Sequence, residues 1–197
     1  MSDTRLQKLA SAVFFSASLV GLPAVAGTVK GKVPVADAQE AERTVVYIEH
    51  IPEASHPTAA PATAKVSQKG ARFSPGVMPV VKGTSVDFTN DDYVTHNVFS
   101  KSKVKPFDLG LYPKEQAKVV TFDQPGTVEI FCSIHPRMNG VVLVLQNPHF
   151  TKPSADGSFT LPNVPAGEWK LRVYRPGLDK EPVTVKVPAK GTVETKL

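Results

Sequence analysis

Hydrophobic and polar residues alternate with a period of two along most of the chain. In the first such stretch Val29, Gly31 and Val33 share one face, while Lys30 and Lys32 share the other. Successive side chains of a β-strand point to opposite faces, so this pattern predicts strands with one buried and one exposed side. The 18 prolines and 13 glycines favour tight turns over long helices. We therefore predict an all-β fold.

The predicted strands fall into three groups. Two early strands precede residues 52–63, a stretch rich in proline and alanine that is expected to be a linker. Closely spaced strands follow in residues 64–147, where the apolar run Val141 to Leu145 is typical of the centre of a sandwich. A last group occupies residues 148–197, a marginal length for an independent core. We therefore expect residues 27–51 and 148–197 to form one small, discontinuous β-sandwich into which residues 64–147 are inserted.

The first 26 residues have the features of an export signal. Arg5 and Lys8 give a positive start, residues 9–25 are mostly apolar and uncharged, and Ala24-Val25-Ala26 is a small-x-small cleavage pattern. The serines, glycine and proline in the apolar stretch disfavour the alternative, an uncleaved membrane anchor. Without a twin arginine, a Sec-type route to the periplasm or another extracytoplasmic space is expected. No later apolar run is long enough to span a membrane.

Composition narrows the class of protein. With 41% hydrophobic and 21% charged residues, the chain of 197 residues is neither disordered nor a multi-span membrane protein. The net charge of +5 comes from scattered residues rather than a basic helix, so nucleic acid is not an expected partner. A single cysteine excludes an internal disulfide, and a lone thiol in an oxidising compartment calls for another role.

Four residues predict a metal site. Cys132, His135 and Met138 follow one another at three-residue intervals directly after a predicted strand, and His96 comes from a separate strand. One thiolate, two imidazoles and a weak axial thioether are the ligand set of a mononuclear blue-copper site. Sulfur ligands stabilise Cu(I), and imidazole suits both oxidation states. We therefore predict one copper ion bound by these four side chains.

Other interpretations of these residues stay open. Cys132 could be a buried free thiol, or zinc could take the same site, although zinc prefers four strong ligands to a thioether. Three further histidines have no evident partner and are expected in surface or structural roles: His50, His56 and His149. Asp91 and Asp92 predict a turn rather than a calcium site. Three lysines could dock an acidic protein or form a solvated strand edge: Lys101, Lys103 and Lys105.

Residues 64–147 resemble the cupredoxin family of type 1 copper proteins, in its amicyanin- and plastocyanin-like branch. The motifs are Phe73-Ser74-Pro75, residues 80–92, His96-Asn97 and residues 125–140. The resemblance implies a Greek-key β-sandwich with His96, Cys132 and His135 as equatorial copper ligands and Met138 as the axial one. It also implies that Asn97 and Ser133 hydrogen-bond across the site. Relatives often carry proline where this chain has Ile134, so the Ile134 N–H could donate to the Cys132 sulfur and favour Cu(I).

A second resemblance concerns the two ends of the chain. Residues 156–169 are similar to the carboxypeptidase regulatory-like domain, a non-catalytic β-sandwich whose opening strands resemble residues 27–33 and 45–49. This likeness supports a discontinuous second sandwich. The alternative is a cupredoxin with an N-terminal extension and a separate C-terminal tail.

The expected function is one-electron transport. As in cupredoxins generally, His135 would lie near the surface beside an apolar docking patch of Met78, Pro79 and Pro136, which a cytochrome or periplasmic dehydrogenase would contact briefly. Copper storage, delivery or sensing is the alternative. An enzyme is disfavoured because five histidines without a His-x-His pair are too few for multi-copper clusters, and no other nucleophile constellation is visible. The oligomeric state is not predicted.

Overall fold

The computed structural model describes residues 26–55 and 63–197, which are almost entirely strands and turns. This confirms the all-β prediction. The elements, in chain order, are β1 (Ala26–Lys32), α1 (Ala38–Glu42), β2 (Val45–Ile48), β3 (Thr63–Gln68), β4 (Phe73–Ser74), β5 (Val77–Val81), β6 (Thr84–Asn90), β7 (His96–Ser100), β8 (Phe107–Tyr112), β9 (Ala117–Phe122), β10 (Gly126–Phe131), β11 (Asn139–Leu145), β12 (Phe150–Thr151), β13 (Ser158–Pro165), β14 (Gly167–Tyr174), β15 (Val183–Val187) and β16 (Thr192–Lys196).

Strands β3 to β11 form the first β-sandwich. One sheet has the order β5-β11-β10-β7-β8 and the other the order β4-β3-β6-β9. Strand β6 shows why the alternation produces this fold: Val86 and Phe88 are fully buried, while the alternate residues Ser85, Asp87 and Thr89 are only partly buried. The ring of Phe88 packs against Phe107 and Phe122 from β8 and β9. The inward residues of the two sheets thus share one core.

A second β-sandwich contains strands from both ends of the described chain. Its three-stranded sheet has the order β13-β1-β16, and its four-stranded sheet has the order β12-β2-β14-β15. Strand β1 is therefore central in the first sheet, where Val29 is fully buried, and β2 is internal in the second, where Val46 is fully buried. Both valines belong to a core that they share with β13 to β15.

The two sandwiches meet along an apolar junction. The outer face of β11 contributes Val141, Leu143 and Leu145, and these pack with Val45 and Val77. Partly buried aromatic residues of the second sandwich border this cluster: Tyr47, Phe150 and Tyr174. At its margin the Gln146 side chain forms hydrogen bonds with the backbone N–H and C=O of Ile51, at 3.2 and 3.0 Å. Strand β11 is consequently buried on both faces.

Several predictions concern residues outside these elements. The expected signal peptide lies outside the described residues except for Ala26, which pairs with Pro165 at the start of β1. Within the expected linker, residues 53–55 form a 3₁₀ turn and residues 56–62 lie outside the described part. Across the described ranges, no helix has the length and apolar character needed to cross a bilayer.

Candidate metal centre

The predicted metal ligands lie where three strands of one sheet end. His96 is the first residue of β7, and Cys132 directly follows β10, which pairs with both β7 and β11. The loop from Cys132 to Met138 is closed by two backbone hydrogen bonds. The Cys132 N–H donates to the Met138 carbonyl at 3.1 Å, and the Met138 N–H donates to the His135 carbonyl at 2.9 Å. The sandwich therefore fixes both ends of the loop.

Two imidazole nitrogens and one sulfur converge at this point. The Nδ1 atoms of His96 and His135 are 3.1 Å apart. The Sγ of Cys132 lies 3.9 Å from the first nitrogen and 3.6 Å from the second. A point equidistant from these three atoms lies about 2.1 Å from each, close to the usual bond length between a transition metal and an imidazole nitrogen. The triangle therefore has the size that a bound metal ion requires.

Burial and donor chemistry also fit copper. His96 is fully buried and Cys132 is 5% exposed, whereas His135 is partly exposed. Within the described residues, these three side chains are the group of histidines, cysteines and carboxylates whose ligand atoms lie close enough to hold a metal. Met138 is buried in the same core cluster as Cys132, so its thioether is shielded from water. A soft thiolate with two imidazoles suits copper in either oxidation state.

Asp92, which the sequence predicts only as part of a turn, contacts the predicted ligand His96. Its Oδ2 lies 3.0 Å from the Nε2 of His96 and also accepts a hydrogen bond from the Ala71 N–H at 3.0 Å. Its Oδ1 accepts from the Tyr93 N–H at 2.9 Å. The Ala71 N–H, followed by His96, lowers the pKa of Asp92 from 3.8 to about 2. The ionised carboxylate places the His96 proton on Nε2 and leaves the Nδ1 lone pair facing the metal site.

Asn97 joins the two strands that carry the ligands. Its Oδ1 accepts a hydrogen bond from the Ser133 N–H at 2.7 Å, and its Nδ2 donates to Asp108 at 3.1 Å. Asn97 itself is 3% exposed, whereas its partners Ser133 and Asp108 lie at the surface. The residue after His96 is thereby tied to the residue after Cys132, which holds the spacing between these two predicted ligands.

Ile134 does not show the contact that was expected of it. The hydrogen bonds of the Cys132 sulfur in the described chain are with His96 and His135, and none comes from the Ile134 N–H. The Ile134 side chain is 48% exposed beside His135. Its structural position therefore favours a surface role over a bond to the thiolate.

The three residues of the expected docking patch have different environments. Pro136 is exposed on the ligand loop. Met78 and Pro79 are partly buried in β5, opposite Val142 and Leu143 of β11, and Met78 packs against the core of the first sandwich. The exposed apolar surface nearest His135 in the chain is therefore formed by Ile134 and Pro136.

The remaining candidates lie outside the triangle. His50 is exposed, His149 is mostly buried with its backbone N–H bonded to Asn147, and His56 lies outside the described residues. Lys101, Lys103 and Lys105 follow β7 in a turn rather than a strand, and Lys105 pairs with Asp123 at 3.6 Å.

Replacing Asp92 with asparagine is expected to weaken copper binding by about 10- to 100-fold, the usual cost of losing a group that orients a metal ligand. The two oxygens of the carboxylate accept three hydrogen bonds from N–H groups. An amide has only one oxygen, so its NH₂ group would face at least one of these N–H groups and that hydrogen bond would be lost. Competition with a chelator would measure the affinity. Asp91→Asn is the matched control because Asp91 bonds to Ser67 and Thr89 instead. Equal losses in the two variants would contradict a specific role for Asp92.

Comparison with known proteins agrees with this geometry. Residues 60–145 match the family described as copper binding proteins, plastocyanin/azurin family, and residues 135–197 match the β-sandwich domain of ER membrane protein complex subunit 7. The second match covers the segment that resembles the carboxypeptidase regulatory-like domain. It overlaps the first along β11, the strand that is buried by both sandwiches.

Individual relatives are cupredoxins. Amicyanin of Paracoccus versutus is 34% identical over 65 residues, which cover 32% of this chain and 49% of the relative. Amicyanin-alpha of Methylorubrum extorquens is 32% identical over 76 residues, covering 37% of this chain and 64% of that protein. The match thus spans about half to two thirds of these relatives. A purple cupredoxin from Nitrosopumilus maritimus is 27% identical, with a TM-score of 0.39, and the match covers 41% of this chain and 98% of that one. Residues 60–145 are therefore similar to the plastocyanin/azurin family of copper binding proteins, and residues 135–197 are similar to the β-sandwich domain of ER membrane protein complex subunit 7. This similarity and the cluster of His96, Cys132 and His135 support one copper ion as the cofactor.

Proposed function

We propose that this protein is a periplasmic one-electron carrier in which His96, Cys132, His135 and Met138 bind the copper ion. The observation that carries the proposal is the convergence of two Nδ1 atoms and one Sγ within 3.9 Å of one another. Bound copper supplies a reversible change between Cu(II) and Cu(I). The predicted Sec-type signal in residues 1–26 supports the periplasmic location.

The surrounding residues hold the ligand atoms in one arrangement. Asp92 fixes the His96 ring, and Asn97 holds the Ser133 backbone beside the ligand loop. Strands and a closed loop restrict the same side chains further. Because the donors are fixed, their positions need to change little when an electron arrives or leaves. A site of this kind suits electron transfer better than it suits catalysis at an open metal position.

Electron exchange is proposed to occur through His135. Its ring is partly exposed, and exposed Ile134 and Pro136 flank it in the sequence. A small apolar surface favours brief contact with a partner, here a cytochrome or a dehydrogenase. Met78 and Pro79 are partly buried in β5, so only their accessible atoms can belong to the proposed patch. In the alternative, copper delivery, the copper would have to leave this buried triangle readily.

Replacing Ile134 with lysine is expected to slow electron exchange with a bacterial c-type cytochrome by about tenfold, because a solvated charge would replace apolar contact surface. Stopped-flow mixing of the reduced cytochrome with the Cu(II) protein measures the rate. Val119→Lys is the matched control, since Val119 is 60% exposed on β9 in the other sheet. Unchanged exchange in Ile134→Lys would contradict the docking assignment. Faster copper transfer to a chelator than electron exchange in the unmodified protein would favour copper delivery.

We further propose that residues 27–51 and 148–197 form one discontinuous domain, with residues 52–63 as a linker to the inserted cupredoxin domain of residues 64–147. The pairing of β1 with β13 and β16, and of β2 with β12 and β14, supports this division. In this division the chain passes between the two domains twice, once before and once after the inserted domain.

A further inference from the structure

A broad cleft of about 1000 Å³ lies where the two sandwiches meet, next to the ligand loop. The second sandwich contributes Glu42 and Arg43 from the end of α1, together with Lys152. The cupredoxin contributes the turn that contains Lys69 and Arg72, and residues 73–76. Arg137 and Asn139, on either side of Met138, complete the wall. Both sandwiches are therefore needed to form the cleft.

The cleft carries a concentrated positive charge. Five cationic side chains line it, and Glu42 is the one carboxylate among its lining residues. Glu42 pairs with Lys152 at 3.0 Å and accepts a hydrogen bond from the Gly76 N–H at 3.2 Å. In the described ranges no carboxylate pairs with the other four cations: Arg43, Lys69, Arg72 and Arg137. The cleft thus has four cationic side chains more than carboxylates, so part of the net positive charge of the chain is concentrated in one concave surface.

Two segments of the chain line this cleft and also adjoin the predicted metal centre. Arg137 lies within the ligand loop, between Pro136 and Met138. The turn of Lys69 and Arg72 contains Ala71, whose N–H binds the same Asp92 oxygen that contacts His96. A negatively charged group in the cleft would therefore lie next to two segments that adjoin the predicted ligands.

We infer that this cleft is a docking site for an acidic segment of a protein partner. Lys69, Arg72 and Arg137 are exposed and present long, solvated charges across a wide surface, which is typical of electrostatic steering between proteins. Arginine can also bind a carboxylate through two parallel hydrogen bonds. A small free anion would leave most of the volume of this open cleft unfilled. That the partner exchanges electrons rests on the proposed function, whereas the docking of an acidic segment does not.

The test uses the full copper-loaded protein and a fluorescent hexaglutamate peptide, with binding followed by anisotropy. Lys69→Gln with Arg72→Gln is expected to weaken binding by about three- to tenfold at low ionic strength, and binding should nearly vanish at about 0.5 M salt. Lys186→Gln with Lys190→Gln is the matched control, because it removes the same charge from two exposed positions outside the cleft. The visible copper band, read in every sample, shows whether the variants retain the metal site.

The outcomes separate the alternatives. Weakening confined to the Lys69 and Arg72 variant supports the acidic-segment site, even if no redox partner is ever found. Equal weakening in the control would overturn it and would assign binding to the net charge. Pyrophosphate or a short oligothymidylate that binds the cleft more tightly than hexaglutamate would also overturn it, in favour of a small phosphate or a nucleic acid. Failure of cytochrome exchange with intact peptide binding would count against the proposed function alone.

Discussion

Replacing Cys132 with serine is expected to abolish the intense blue absorption of the Cu(II) protein. It should also lower the copper affinity by more than about 100-fold, which exceeds the usual loss when a group that hydrogen-bonds to a metal ligand is removed. The absorption of such sites comes from charge transfer between a thiolate and copper, and a hydroxyl supplies neither the soft sulfur nor a ready negative charge. Cys132 is 5% exposed, and serine is nearly isosteric with cysteine. Because serine fits the same space, the sandwich should still fold. Visible spectroscopy and chelator competition measure the two effects.

Ser133→Ala provides the neighbouring control. Its hydroxyl is removed, but the backbone N–H that donates to Asn97 is retained. The blue band and the affinity should therefore stay close to those of the unmodified protein. A blue band of full intensity in Cys132→Ser would show that the sulfur is not a copper ligand.

Removing β1 and β2 is expected to unfold the second sandwich. A chain that begins at residue 52 lacks a central strand of one sheet and an internal strand of the other. It also lacks Val29, Val46 and Ile48, each at most 1% exposed. Burial of one such side chain contributes about 1.5–3 kcal/mol, so together they approach the whole stability of a small domain, about 5–15 kcal/mol. Limited proteolysis should then degrade residues 148–197.

A full-length chain nicked by protease within residues 52–63 is the control for this truncation. It keeps every strand, and its N-terminal fragment should remain bound through the pairing of β1 with β13 and β16. Protection of residues 148–197 in the truncated chain, as complete as in the nicked one, would contradict the discontinuous domain. It would favour a cupredoxin with an independent C-terminal unit.

Local patterns were sufficient to predict most strands and the three side chains that the structure brings together, His96, Cys132 and His135. The period-two alternation of β6 and β10 reflects one buried face, which is a property of the strand itself. The spacing Cys132-x2-His135-x2-Met138 has a local cause too, because a short loop brings its own side chains together. One short element was missed, although Asp37 caps α1 by accepting a hydrogen bond from the Glu40 N–H at 2.7 Å. An Asp-x-x-Glu pattern at residues 37–40 was the available signal.

Features that depend on distant segments could not be predicted in the same way. Asp92 does lie in a turn, since its N–H donates to the Asn90 side chain at 3.0 Å. Its carboxylate also accepts a hydrogen bond from Ala71, a residue of a separate turn, and contacts His96, and these contacts are visible only in the folded chain. The apolar run of β11 was attributed to a position inside one sandwich. Its second apolar face is instead explained by packing against the other sandwich, where Leu143 and Leu145 meet Val45. The apolar run indicates that both faces of β11 are buried, but it does not indicate which segment packs against the second face.

The most direct measurement is an anomalous-difference map at the copper edge from crystals of the copper-loaded protein. The account predicts one strong peak inside the triangle of His96 Nδ1, His135 Nδ1 and Cys132 Sγ, about 2.0–2.3 Å from each atom. A peak bound by other residues, or a triangle that stays empty while the two imidazoles bond to each other, would contradict it.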